Sequence, residues 1–188
     1  MRIHGQSVFD VFAKPIVEDG AKIRYDGFAT FAQDDNRFTY ILVDGATYVV
    51  ENLGNATTST ATQTVRCLKS GTPFDSIISA LNTVKGIPSS LVKDEAIYCP
   101  SGNLYETSTP FGGVDFTLCA SAGLGFSAYG GDITMAVEYL DSPLHTITAP
   151  LLSDSSARCA AIASATSVSP IAMTLLSGDA TCPSNEDC

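Results

Sequence analysis

The chain has 188 residues, with 20 acidic against 10 basic side chains, six cysteines, two histidines and no tryptophan. One domain is the default at this length, and an apolar fraction of 45% supplies a core, which excludes a disordered chain. A net charge of −10 excludes nucleic acid and anionic membrane surfaces as partners, and no apolar run approaches the roughly 20 residues of a membrane helix.

Residues 1–13 lack a basic start followed by a long apolar stretch, so a mature chain without a signal peptide is expected. Alternation then begins. Ile23, Tyr25 and Phe31 share one parity, with Lys22, Arg24 and Thr30 on the other. Phe38, Tyr40 and Leu42 alternate with Arg37, Thr39 and Ile41, and Tyr48 and Val50 with Thr47 and Glu51. A period of two predicts half-buried strands. Asp34-Asp35-Asn36 and Asp44-Gly45 separate these runs as turns, because Asp, Asn and Gly tolerate positive φ. The polar stretch 52–62 follows as a surface loop and carries a glycosylation acceptor, Asn55-Ala56-Thr57.

A helix is predicted over residues 73–85, where Phe74, Ile77, Ile78, Leu81 and Val84 fall at helical spacing. Thr72 suits its cap, Pro73 its first position and Gly86 its left-handed close. Strands resume at 96–99, 104–107, 114–119 and 133–140, and the Gly-rich segment 122–131 reads as a hairpin loop. Beyond Pro150 aromatic residues cease and Ala and Ser dominate. Two short helices are expected there, one over 155–165 and one opened by Ser169-Pro170 and stopped by Gly178. The fold class is therefore α+β and mostly antiparallel: a curved meander with one amphipathic helix against it. Residues 1–149 form the body, and 150–188 a small helical tail within the same compact unit.

Cys67, Cys99, Cys119, Cys159, Cys182 and Cys188 are even in number and widely spaced, without a C-x-x-C pair. That pattern excludes a Cys-rich zinc site and predicts three disulfides in a secreted protein. Three cysteines precede Pro150 and three follow it, so an odd number of bridges must join tail to body. Cys99 with Cys119 suits neighbouring strands.

Traces of catalysis are few. His4 and His145 read as solvated, and Gly123-Leu124-Gly125 lacks the helix that a phosphate loop requires. Asp34, Asp35, Asn36, Asp94 and Glu95 could supply oxygens to calcium, yet no calcium-loop spacing occurs, so solvated turns are expected and no cofactor is assigned. Asp115 and Glu138 are the carboxylates of a hydrolase reading, in which two facing acids would flank a cleft. A concave sheet face could instead hold an apolar ligand, lined by Ile23, Tyr25, Phe31, Phe38, Tyr40, Leu42, Tyr48, Val50, Phe116 and Met135; the alternative is that these form an ordinary core.

Arg24-Tyr25-Asp26, Tyr48, Cys67 ahead of the helix, and Phe74 through Ile87-Pro88 lie within a span of residues 21–140. In that order they resemble the ependymin-related proteins, which look like the LolA-like half-barrel carriers. The resemblance implies a secreted glycoprotein with a hydrophobic pocket and no catalysis, and leaves calcium open as a ligand that no motif here supports. The Ala/Ser/Thr-rich style with dispersed cysteines also resembles secreted oomycete proteins. The expected function is thus a secreted, disulfide-bonded, non-catalytic binding protein carrying a hydrophobic ligand. Its alternative is a surface-acting extracellular effector, adhesin or enzyme inhibitor with a packed core, contacting an extracellular protein or glycan through segments 52–62 and 122–131.

Overall fold

The computed structural model describes residues 3–54, 62–68, 74–88, 97–107, 114–121 and 123–178. The described residues are mostly antiparallel strands with two helices, in the class the alternation predicts. The strands divide between two open sheets, and the chain forms two compact units.

The first unit comprises Met1–Glu18, Arg24–Thr72 and Ser142–Ala165. Its sheet is a meander of β1 (Phe12–Glu18), β2 (Lys22–Gln33), β3 (Asn36–Val43), β4 (Ala46–Leu53) and β5 (Thr62–Cys67). Both expected turns are present. Asp44 and Gly45 take φ of 49° and 75°, and Val43 pairs with Ala46 across them. Gly45 is required twice over. An added Cβ there would meet the Ala163 carbonyl, and the Gly45 carbonyl accepts the N–H groups of Ile162 and Ala163 at 2.8 and 3.0 Å. The turn thereby fastens the returning segment 142–165 to the sheet. Cys67 and Cys159 bridge that segment to β5, a body-to-tail disulfide of the kind the parity argument requires. Residues 155–165 are not helical. Their backbone groups pair with the sheet instead, as at Ala161 opposite Ala46, which outweighs the helical propensity of a small-residue run.

The second unit comprises Asp19–Ile23, Pro73–Asp141 and Thr166–Cys188. Its sheet runs β10 (Ile133–Glu138), β9 (Gly125–Gly130), β8 (Thr117–Ser121), β7 (Leu104–Glu106), β6 (Lys85–Ile87). The short β11 (Thr166–Ser167) pairs with Ile23 and Lys22. Helices α1 (Phe74–Leu81) and α2 (Pro170–Ser177) contribute Leu81, Ala172 and Leu175 to a core with Leu118, Phe126 and Ala128 from this sheet and Phe116 just ahead of β8. Each such large apolar side chain contributes about 1.5–3 kcal/mol on burial. The expected helix over 73–85 is thus present and covers a sheet, and the sheet it covers is the second one.

Helix α1 ends at Leu81, four residues before the predicted stop. Asn82 accounts for this: its side chain donates to the Ser167 carbonyl at 2.8 Å and accepts from the Ser169 N–H at 2.9 Å. Gly86 is therefore not a helix cap. It lies in β6 opposite Tyr105. The α2 caps match the prediction: the Ser169 hydroxyl accepts from Ala172 N–H, and Gly178 closes the helix at φ 74°. Thr72 and Pro73 fall outside the described residues.

Residues 97–99 carry no strand, and β8 begins at Thr117 instead of 114. The segment 125–130, expected as loop, is strand β9 at the centre of a β8–β9–β10 ladder. Gly130 lets the Phe116 ring lie over the strand end, since a Cβ there would come within 2.9 Å of it. Cys99 and Cys119 form the expected second disulfide. Cys182, Cys188 and the acceptor Asn55 lie outside the described residues.

Candidate binding surface

Register decides which of the candidate ligand-lining residues meet. Phe31 pairs with Phe38, Ala29 with Tyr40 and Gly27 with Leu42, so Phe31, Phe38, Tyr40 and Leu42 share one face of the first sheet. Tyr48 pairs with Ile41 and Val50 with Thr39, which puts both on the opposite face. The cause is the two-residue loop at Asp44-Gly45: it pairs odd positions of β3 with even positions of β4. Ile23 is fully buried near β11, Tyr25 is half-buried on β2, and Phe116 and Met135 belong to the second sheet and its core. Register thus separates Tyr48 and Val50 from Phe31, Phe38, Tyr40 and Leu42 within the first sheet.

The face of Phe31, Phe38 and Tyr40 is covered by the chain's own start. Ile3 and Gln6 exchange two backbone hydrogen bonds around His4 and Gly5, both at positive φ. This tight turn lays the His4 ring on Phe38, with centroids 4.0 Å apart and planes 12° apart. His4 Nδ1 lies 3.1 Å from Gln33 Oε1 and Nε2 lies 2.8 Å from the Tyr40 hydroxyl. Since a Gln Oε1 only accepts, Nδ1 is a donor here, and Nε2 pairs with the Tyr40 hydroxyl. Phe9 adds a tilted contact to Phe31 at 5.2 Å. His4 is therefore a partly buried clamp, correcting the expectation of a solvated residue; the hydrogen bonds and stacking repay its ordering. His145 is exposed, as expected.

The segment that follows this clamp exposes several apolar side chains. Val8 is 86% exposed, Val11 46%, Phe12 40% and Val17 47%. Phe12 stacks on Phe28 of β2 at 5.2 Å, on the face opposite Phe31, so this segment packs against the sheet edge and offers apolar side chains on both sides. Such concentration of apolar surface in one segment marks a contact site better than scattered exposed residues do. The sequence signal is the segment Val8-Phe9-Asp10-Val11-Phe12, four apolar residues in five directly ahead of the alternating strands.

Charges gather beside this segment. Arg24 donates to Glu18 at 2.8 Å, Asp26 at 2.7 Å and Asp44 at 3.3 Å. Burial opposes its charge, yet the three carboxylates more than offset this and hold the guanidinium pKa above its ordinary value. The cluster locks turn to strand and presents no reactive group.

The hydrolase reading places Asp115 and Glu138 on paired strands. Both are exposed, Asp115 precedes β8, and β9 intervenes between β8 and β10. Asp34 and Asp35 are exposed, and among the described residues no group of three or more His, Cys, Asp or Glu side chains is arranged to hold a metal ion. No helix of the described residues is long and apolar enough to cross a membrane.

No family model matches this chain, and neither the curated proteins nor the solved structures contain a match to it.

Proposed function

We propose that this is an extracellular, disulfide-bonded, non-catalytic interaction protein that engages its partner through the exposed apolar side chains of segment 8–17. The carrying observation is the exposure of Val8, Val11, Phe12 and Val17 on the segment that follows the His4 clamp. A segment already packed against the sheet edge loses little conformational entropy on binding, which favours affinity from a small contact. The two disulfides support the extracellular reading, since such bridges persist in oxidising compartments.

Photo-crosslinking tests this function. A photoreactive residue at Val8, exposed to extracellular fluid of the source organism, should give a discrete adduct. The same residue at the exposed Ser155 should not give that adduct. Equal adducts from both positions, or none from Val8, reject the reading.

A second reading, an apolar-ligand carrier in the manner of the half-barrel proteins, is favoured by one observation. Phe31, Phe38, Tyr40 and Leu42 do share a face beneath His4 and Phe9. Native mass spectrometry before and after organic extraction decides it: a carrier loses a bound mass of lipid size.

A further inference from the structure

Each sheet has two edges, and they differ in how they are guarded. Edge strands expose unpaired backbone groups, which proteins blunt with Lys, Pro, shortness or a covering segment. Strand β1 carries Lys14 and Pro15. Strand β5 is covered where Ser153 N–H donates to the Val65 carbonyl and the Ser153 hydroxyl accepts the Val65 N–H. Strand β6 is three residues long and begins with Lys85. Strand β10, Ile133-Thr134-Met135-Ala136-Val137-Glu138, has six residues, no Lys, Arg or Pro, and pairs among the described residues only with β9.

Hairpin geometry fixes which of its groups face outward. Gly131-Asp132 is a two-residue loop closing on Gly130 opposite Ile133, with Gly131 at φ 53°. Such a loop closes on a hydrogen-bonded pair, so Ile133, Met135 and Val137 bond to β9. Thr134, Ala136 and Glu138 then direct their N–H and C=O groups away from the sheet. Their side chains are exposed, whereas Ile133, Met135 and Val137 pack on the core.

We propose that β10 is a homodimer interface, in which a second copy of this chain adds its own β10 antiparallel across a two-fold axis at Ala136. Ala136 would face Ala136 of the other copy, where a small side chain brings no clash. Thr134 would face Glu138 in both symmetric pairs, so no like charges stand opposite and each carboxylate gains a hydroxyl donor. About six backbone hydrogen bonds would form, each satisfying groups that water now serves. With a net charge of −10 on each copy, added salt should favour the dimer by screening repulsion.

Sedimentation velocity over a concentration series, at low and moderate salt, tests this. The wild type should dimerise with rising concentration, and more readily in salt. Thr134→Glu should weaken the dimer about tenfold through two like-charge pairs, and Thr134→Lys should strengthen it comparably. Ala136→Pro removes an outward N–H and should abolish it. Should that variant misfold by circular dichroism, the opposed shifts of the two Thr134 variants still decide the matter. A wild type that stays monomeric overturns the proposal, as do Thr134 variants that shift together or not at all. So does a monomer that binds a synthetic 133–138 peptide without self-associating, since the edge would then serve a foreign strand.

Discussion

Asp26 Oδ1 accepts the backbone N–H of Asp44 at 3.0 Å across 18 residues of chain. The same oxygen accepts from Arg24 Nη1 at 2.7 Å, and Asp26 is only 9% exposed. A β2 carboxylate thus holds the β3–β4 turn in place. Asp26→Ala should cost about 2 kcal/mol, because it strands the Asp44 N–H and removes one of the three carboxylates that hold Arg24. Asp26→Asn, which keeps an acceptor, should recover about half of that. Urea denaturation of both variants checks the order; equal losses would mean that the site matters only through packing.

The turn itself offers a controlled comparison. Gly20 and Gly45 both follow Asp and both take positive φ, at 70° and 75°. A Cβ at Gly20 meets nothing within 4 Å, whereas one at Gly45 meets the Ala163 carbonyl. Gly20→Ala should cost about 1 kcal/mol, the backbone penalty alone. Gly45→Ala should cost at least twice as much and loosen the segment around Ala161–Ala163, which remains tethered by Cys67–Cys159. Increased hydrogen exchange at Ile162 and Ala163 in Gly45→Ala, absent from Gly20→Ala, is the expected signature.

Loop length ranks the disulfides. Cys67–Cys159 spans 92 residues and Cys99–Cys119 spans 20. Closing the longer loop removes more unfolded-state entropy, about 4–5 kcal/mol against about 3 on the chain-entropy model. The double Ser variant of the first bridge should therefore lower the urea midpoint more than that of the second. The reverse order would show that native-state effects dominate.

These comparisons also mark where the sequence was readable. Asp-Gly turns, the α2 caps and the α1 face are local, and each is legible because one short segment contains its own cause. Strand β9 was hidden because its glycines suggest a loop, and it is a strand only through partners on both sides. The end of α1 was hidden for the same reason: Asn82 is captured by residues 85 and 87 positions away. The facing of Tyr48 and Val50 could have been deduced. A two-residue loop between 43 and 46 fixes the parity, and it places both away from Tyr40. The His4 clamp could not, because it depends on Phe38 and Tyr40 converging on a segment more than thirty residues away.

That clamp should open locally. His4→Ala removes a ring stack and a hydrogen bond to Tyr40, together worth about 1–2 kcal/mol. Since residues 3–11 precede β1, global stability should change less than protection of this segment does. Limited proteolysis should cut near Val8 sooner in His4→Ala while the melting temperature moves by only a few degrees. Unchanged cleavage would show that Phe9 alone holds the segment.

Tyr139 supplies the pH dependence. Its hydroxyl donates to the Leu175 carbonyl at 2.9 Å, one of the last-turn carbonyls of α2 that no helical N–H can reach. Burial pushes its pKa up to about 12. A raised pKa means that the folded state holds the proton that the unfolded chain releases near pH 10. The stabilisation is then complete below about pH 10 and is lost as pH rises toward 12. Tyr139→Phe should cost about 1 kcal/mol at neutral pH by leaving the Leu175 carbonyl unpartnered. The variant should also flatten the alkaline limb of the stability curve, because the group that drives it is gone. Urea midpoints at pH 7, 9 and 10.5 for both proteins check this. Parallel curves would assign the alkaline loss to another group.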